Sequence, residues 1–357
     1  MAQTDRDALY ARLRSIESDL ANASWAISDV ERKLSSIDGA MSSLPSRLAT
    51  IRERGYAAMG HLEKSIDLLA KKWAEASPAI KQSFYGSVQP LTAQIRALQS
   101  EVQGLRAGAA LGGTVLGWAS VGRISAEASA LRARVFAETS RINASIGEFL
   151  GGIEAIDRDL KIAENTMRLF SYASFPLKPG ESPVLAIEGK IMTKEKCDGT
   201  LYFTNQRFIF EGTREAVLEK KLFIATKKRV ERMVLVEQPI GALQGISKGR
   251  VGLVAWTGIY IRFKPELGLE EMPFDVKGWE ADVITRFFQY IVGGEADRDI
   301  AAIKGIAQKE APALMVIRCP NCGAPYTREI YKGQTSVQCE YCGTSILINP
   351  EALHGTA

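Results

Sequence analysis

Cys319 and Cys322 stand in the run Cys-Pro-Asn-Cys-Gly, and Cys339 and Cys342 in Cys-Glu-Tyr-Cys-Gly, with sixteen residues between the pairs. A two-residue gap lets one tight turn aim two thiolates at a single metal ion. Gly323 and Gly343 follow each pair, where the chain has to double back. Four thiolates suit the tetrahedral preference of zinc, and they leave no position open for water or substrate. The expected cofactor is therefore one structural zinc ion held by Cys319, Cys322, Cys339 and Cys342. A segment as short as 314–349 has too little core to fold unaided, so metal binding would supply its folding free energy.

Two further constellations point to surfaces rather than to reactions. Lys220, Lys221, Lys227, Lys228, Arg229 and Arg232 lie close together with only Glu219 and Glu231 against them, a local excess equal to the +4 of the whole chain. Basic residues at an anionic lipid surface contribute about 1 kcal/mol each, and the same residues on a solvated loop contribute nothing. The stretch 107–122 is Gly-rich, apolar and without charge, flanked by Arg106 and Arg123. Its small-xxx-small spacing suits close helix approach, either in a buried turn or in a membrane-inserting tip with Trp118 at the interface and the two arginines reaching headgroups. Sixteen residues are too few to span a bilayer as one helix, which takes roughly 17 to 25.

Catalytic groupings are scarce. The chain has only two histidines, His61 in a helical pattern and His354 in the tail, and it lacks a phosphate-binding loop, a dinucleotide fingerprint and a nucleophile elbow. Cys197, beside Lys194, Lys196 and Asp198, is a lone loop cysteine of the kind that is usually inert. The expectation is a protein that is not an enzyme.

With 45 Lys and Arg against 41 Asp and Glu, no global field draws nucleic acid. Five cysteines, four of them in metal spacing, do not form a disulfide framework, and no basic-then-apolar leader opens the chain. The expected location is the cytoplasm, with peripheral attachment to a membrane as an extension of the lipid reading. The 46 % hydrophobic and 24 % charged composition is that of a folded chain, long enough for two or three domains.

The elements that must position these residues begin with a helical arm over 5–170. Leu9, Leu13, Ile16, Leu20, Ala23, Ile27, Val30, Leu34, Ile37, Met41 and Leu44 alternate in steps of four and three, a coiled-coil seam. Pro45 is expected to stop that helix, Ser77-Pro78 to stop the next, and Pro90 to kink a third that carries Phe84 to Leu105. A helix over 122–170 would be roughly 70 Å long and must pack on the earlier helices or on a second copy of the chain.

From Tyr172 the period changes to two, over 182–191, 199–211, 232–243 and 249–263, and an amphipathic helix closes the region with Trp279, Val283, Ile284, Phe287, Phe288 and Ile291. The run Gly-Thr-Leu-Tyr-Phe-Thr-Asn-Gln-Arg-Phe-Ile-Phe at 199–210 resembles the strand pair of GRAM and bacterial pleckstrin-homology-like domains, and Gln238 to Ile246 is similar to their Pro-containing step into a hairpin. That resemblance covers about 172–293 and implies a small barrel or sandwich with a C-terminal helix that docks on phosphoinositides or on proteins. The Lys-rich insertion from Ala216 to Arg232 departs from the family pattern.

A linker over 294–313 with a short helix at 300–310 leads to 314–349, which resembles a zinc ribbon of the rubredoxin-knuckle type. A tail follows over 350–357. The fold class expected is multidomain α+β: a helical arm, a pleckstrin-like module and a zinc ribbon. The matching function is a scaffold or adaptor acting at an anionic membrane surface or in a protein assembly, with the arm able to form a homo-oligomer. The alternative is a nucleic-acid-associated regulator that reads through the ribbon, where Tyr326, Arg328, Tyr331 and Lys332 interleave aromatic and basic side chains, and dimerises through the coiled coil.

Overall fold

A computed structural model describes residues 3–110, 117–194, 196–221, 224–252, 256–305, 317–328 and 330–348, with only the backbone described at 3–6, 109–110, 117, 214–221, 224–230 and 256. The chain divides into two compact units, Met1–Ser46 with Glu63–Asp157, and Arg47–Leu62 with Arg158–Ala357.

The first unit is built from three long helices, α1 (Gln3–Glu53), α2 (His61–Ala110) and α3 (Gly117–Phe170), whose ends continue into the second unit. Their side chains fix the directions. Asp38 on α1 meets Lys81 on α2, and Glu17 meets Arg106, so α1 and α2 run antiparallel. Lys72 meets Glu148 and Glu101 meets Arg123, so α2 and α3 are antiparallel as well, while the pairs Asp19–Arg132 and Lys33–Asn143 show α1 and α3 parallel. The seam residues Leu9, Leu13, Ile16, Leu20, Ile27, Val30, Leu34 and Ile37 are buried inside this one chain. Their apolar stripe is filled by α2 and α3, as in other up-and-down bundles. Trp73 packs edge-on against Phe149 at 4.9 Å and donates its Nε1 hydrogen to Asp38 at 2.9 Å. Burial raises the Asp38 pKa, but the hydrogen bonds from Lys81 and Trp73 outweigh it and hold the carboxyl below its usual range.

Pro45, Pro78 and Pro90 all lie inside helices rather than ending them, which corrects the helix breaks expected at the first two. All three face solvent. There the carbonyls that lose a helical partner are met by water, and the apolar seam running past each proline holds the helix together. Within the Gly-rich stretch 107–122, helix continues through Ala110 and resumes at Gly117, and residues 111–116 lie outside the described residues.

The second unit carries a seven-stranded antiparallel sheet: β1 (Pro183–Ile191), β2 (Cys197–Thr204), β3 (Arg207–Lys221), β4 (Ile224–Pro239), β5 (Leu243–Val251), β6 (Trp256–Phe263) and β7 (Met272–Asp275). The order is β4-β3-β2-β1-β7-β6-β5, and α4 (Gly278–Val292) follows β7, so that an antiparallel sheet and a C-terminal helix stand within a mixed α+β chain. Alternate residues face opposite layers, and both layers are apolar. Phe203, Phe208, Phe210 and Phe274 meet ring to ring on one face. On the other, Tyr202 packs with Leu169, Ala186 and Ile209 beneath Phe170 and Phe175. Within α4, Ala281, Ile284, Phe287, Phe288 and Ile291 are buried, whereas Trp279, expected on the apolar face, is 59 % exposed.

The short helix expected at 300–310 begins five residues earlier, as α5 (Glu295–Ile303), with Glu295 and Asp297 in its first turn where the helix dipole favours acid. Residues 306–316, which include the start of the ribbon expected over 314–349, lie outside the described residues. A small pair of strands, β8 (Ser336–Gln338) and β9 (Ser345–Leu347), completes the unit.

Candidate metal centre and basic hairpin

Cys319 and Cys339 each open an identical knuckle. The Cys319 N–H donates to Ala324 O at 2.8 Å and the Gly323 N–H to Cys319 O at 2.9 Å; the Cys339 N–H donates to Thr344 O and the Gly343 N–H to Cys339 O, both at 2.9 Å. Gly323 and Gly343 have φ of +69° and +71°, with no neighbouring atom near a Cβ at either position. The left-handed backbone, and no shortage of space, makes glycine the fitting residue there. Val337, Ile346 and Ile348 form the small core behind the knuckles, with Tyr326 and Ile330 packed against it.

The two knuckles face each other and bring all four sulfurs within 4.8 Å of one another. Cys319 Sγ lies 3.5 Å from Cys342 Sγ, and Cys322 Sγ 3.5 Å from Cys339 Sγ. Sulfurs about 2.3 Å from a tetrahedral zinc are separated by about 3.8 Å, so this spacing fits one ion. Cys319 and Cys339 are buried and Cys322 and Cys342 exposed, so one ligand of each pair is anchored in the core. The thiols influence one another strongly. Thr344, through its hydroxyl and its backbone N–H, holds Cys342 down to about 6. Cys322, although favoured as thiolate by the Ala324 backbone, is pushed up to about 12 by Cys342 and the other sulfurs. Four sulfurs this close cannot all ionise on their own, and a dication among them removes that conflict.

The Lys-rich insertion, which departs from the family pattern, is strand over its described residues 216–221 and 224–232. β3 and β4 run to 15 and 16 residues, and their register sets Lys221 opposite Ile224, Lys220 opposite Ala225, Lys227 opposite Glu219, Lys228 opposite Val217 and Arg229 opposite Ala216. The backbone thus gathers Lys220, Lys221, Lys227, Lys228 and Arg229 onto one hairpin, while their side chains lie outside the described residues. Arg232 stands at its root and is already engaged. Its guanidinium donates to Tyr172 O at 2.8 Å, lies over the Tyr172 ring and sits 3.7 Å from the buried Glu211 carboxylate. It lines a cleft of about 540 Å³ together with Arg168, Glu188, Asp198, Thr200 and Thr213, a feature with no sequence signature.

The other candidates lie on other elements. Trp118, in the first turn of α3, is 44 % exposed. Arg106 pairs with Glu17 at 3.0 Å, and Arg123 with Glu101 at 2.5 Å and Glu127 at 2.9 Å, so both arginines tie helices of the first unit together. Among the described residues, no helix is long and apolar enough to cross a membrane. Cys197 is half-buried on β2, its Sγ near the carbonyls of Asp198 and Thr213.

The Thr-Asn-Gln-Arg turn, which carried the family resemblance, is structural. Thr204 Oγ1 accepts the N–H groups of Gln206 and Arg207, and Asn205 Oδ1 accepts that of Ser182. Arg207 forms a buried pair with Glu181 and a further one with Glu237, which together hold the guanidinium protonated against the opposing effect of burial. Of the aromatic and basic residues between the cysteine pairs, Tyr331 and Lys332 pack against the seven-stranded sheet and the helices that follow it. Lys264 Nζ lies 4.4 Å from the Tyr331 ring centre, and the Lys332 ammonium reaches Ile291 O at 3.0 Å and pairs with Asp297.

No protein-family model and no curated protein matches this chain. Among solved structures it is similar to a point mutant of the DH/PH domains of p115-RhoGEF, at 9 % identity and a TM-score of 0.23, over 80 % of this chain and 98 % of that one. It is similar also to the N-terminally truncated linker-DH/PH domains of p115-RhoGEF, at 11 % identity and a TM-score of 0.22, over 82 % and 98 %. At these scores the likeness assigns neither fold nor function.

Proposed function

We propose that the chain is a non-enzymatic scaffold that attaches peripherally to an anionic membrane surface through the β3–β4 hairpin of its pleckstrin-like domain. The single observation that carries this reading is the hairpin register, which places a basic stretch of sequence on a two-stranded ribbon. Five lysines and arginines on one ribbon, at about 1 kcal/mol each near anionic lipid, are enough for reversible recruitment. In this reading residues 5–170 are the arm, 172–293 a GRAM-type domain, 294–313 the linker and 314–349 a ribbon closed by one structural zinc, with 350–357 as a tail. The ion folds the ribbon and performs no chemistry, because four thiolates fill its coordination sphere. A cytoplasmic setting suits both the thiolates and the anionic leaflet. Protein partners would bind the arm or the domain in the same assembly. Flotation with anionic and neutral vesicles tests the reading, with charge reversal in the hairpin as its control.

A further inference from the structure

We propose that the end of the pleckstrin-like sheet is a built docking surface whose occupant is the Lys332-Gly333 turn of the four-cysteine module, and that the metal ion keeps the module seated there. The surface has three parts. They are the 204–207 turn, the 3-10 turn Ile240–Ala242, and the corner between α4 and α5.

Each part presents a complementary group. The Gly241 N–H donates to Lys332 O at 3.0 Å, in the manner of an added strand residue. Gly333, at φ +86°, lies so close to the 204–207 turn that a Cβ would fall 1.7 Å from Gln206 O. Lys332 Nζ donates to Ile291 O, a carbonyl in the last turn of α4, and pairs with Asp297 in the first turn of α5. A cation there meets the negative end of one helix dipole and an acid of the next. Asp297 is itself oriented by Asn205 Nδ2 at 3.0 Å, so the docking surface is held by the domain's own motif. Tyr331, under Lys264, closes the side.

The occupant is shaped by its own module. The Tyr331 N–H donates to Gln334 Oε1 at 3.0 Å and the Gln334 N–H to Tyr331 O at 2.9 Å, which fixes the turn, and the Ile348 N–H donates to Thr335 O at 2.9 Å, which ties the turn to the β8–β9 pair. That pair packs on the cysteine core, so a module that loses its ion loses the support of the turn. The metal centre is thereby linked to a face of the pleckstrin-like domain on which it has no ligand.

Two neighbouring amides make the test specific. Gly241 N–H is protected by the module, whereas Ile240 N–H donates to Gln206 O at 2.7 Å, a bond internal to the domain. Amide hydrogen exchange resolved to single residues is measured on the full chain, zinc-loaded and after chelation, with zinc content read by mass spectrometry. Chelation is expected to speed exchange at Gly241 at least tenfold and to leave Ile240 unchanged. Lys332→Met is expected to speed Gly241 severalfold at unaltered zinc content. Unchanged Gly241 protection after verified zinc removal overturns the metal coupling, and unchanged protection in Lys332→Met overturns the anchor. A chain that takes up no zinc contradicts the metal centre, and the Lys332→Met arm then decides the docking by itself.

Discussion

Tyr56, wholly buried in the connection between α1 and α2, donates its hydroxyl hydrogen to the Val184 carbonyl of β1 at 2.9 Å. The connection therefore belongs to the core of the sheet unit. Arg52 holds it from one side by donating to the carbonyls of Tyr56, Ala58 and Met59, and from the other the Met59 N–H donates to Tyr290 Oη and the Gly60 N–H to Asp299. Tyr56→Phe is expected to destabilise the sheet unit by about 1 kcal/mol, and Tyr56→Ala by about 3–5 kcal/mol, in denaturant titrations. An Ala variant as stable as the parent would contradict a load-carrying connection.

Burial raises the phenols of Tyr56, Tyr202 and Tyr290, Tyr202 to about 12, with the Glu211 carboxylate adding to the effect there. The unfolded chain gives up these protons from about pH 10, while the folded chain keeps them. Between those values the unfolded state binds fewer protons, so stability is full below about pH 10 and falls as pH rises. Unfolding midpoints measured against pH should decline over that range, with a shallower decline in Tyr202→Phe. An equal slope in the variant would sink the assignment.

Pro78 costs α2 a hydrogen bond on its exposed face. Replacing it by alanine should stabilise the bundle by up to about 3 kcal/mol, the range of the helix-interior penalty. Thermal unfolding of Pro78→Ala gives the sign directly, and a lower midpoint than the parent would contradict it.

The four sulfurs should take up one zinc per chain at neutral pH and release it with proton uptake on acidification. Cys339→Ser, which removes a buried ligand, is expected to leave the metal substoichiometric and to expose the amides of β8 and β9 to exchange. Full occupancy in that variant would rule out four-sulfur coordination.

The parts of this molecule that were legible in sequence are those where side-chain type follows from local period. The Leu9 to Ile37 seam, the Phe203 and Phe208 strands and the cysteine knuckles all sit where four-three spacing, alternation or Cys-x-x-Cys put them. Pro45 and Pro78 read as helix ends in sequence, because no local pattern shows that they face water. The length of β3 and β4 was hidden because Lys, Arg and Glu outnumber apolar residues over 214–232 and leave no alternation to read. The seating of Lys332 on Asp297 joins residues 35 apart in sequence, and no periodic pattern encodes such a contact.

Reversing Lys227, Lys228 and Arg229 to glutamate removes about 3 kcal/mol of attraction to anionic lipid, equivalent to a loss of at least about a hundredfold in binding. The decisive measurement is flotation of the full chain with anionic and with neutral vesicles, at low and at high salt, for the parent and for this triple variant. The parent should float with anionic vesicles at low salt, weakly at high salt and not with neutral ones, and the variant should stay at the bottom with an unchanged unfolding midpoint. A parent that never floats, or a variant that floats as the parent does, would contradict attachment through the β3–β4 hairpin.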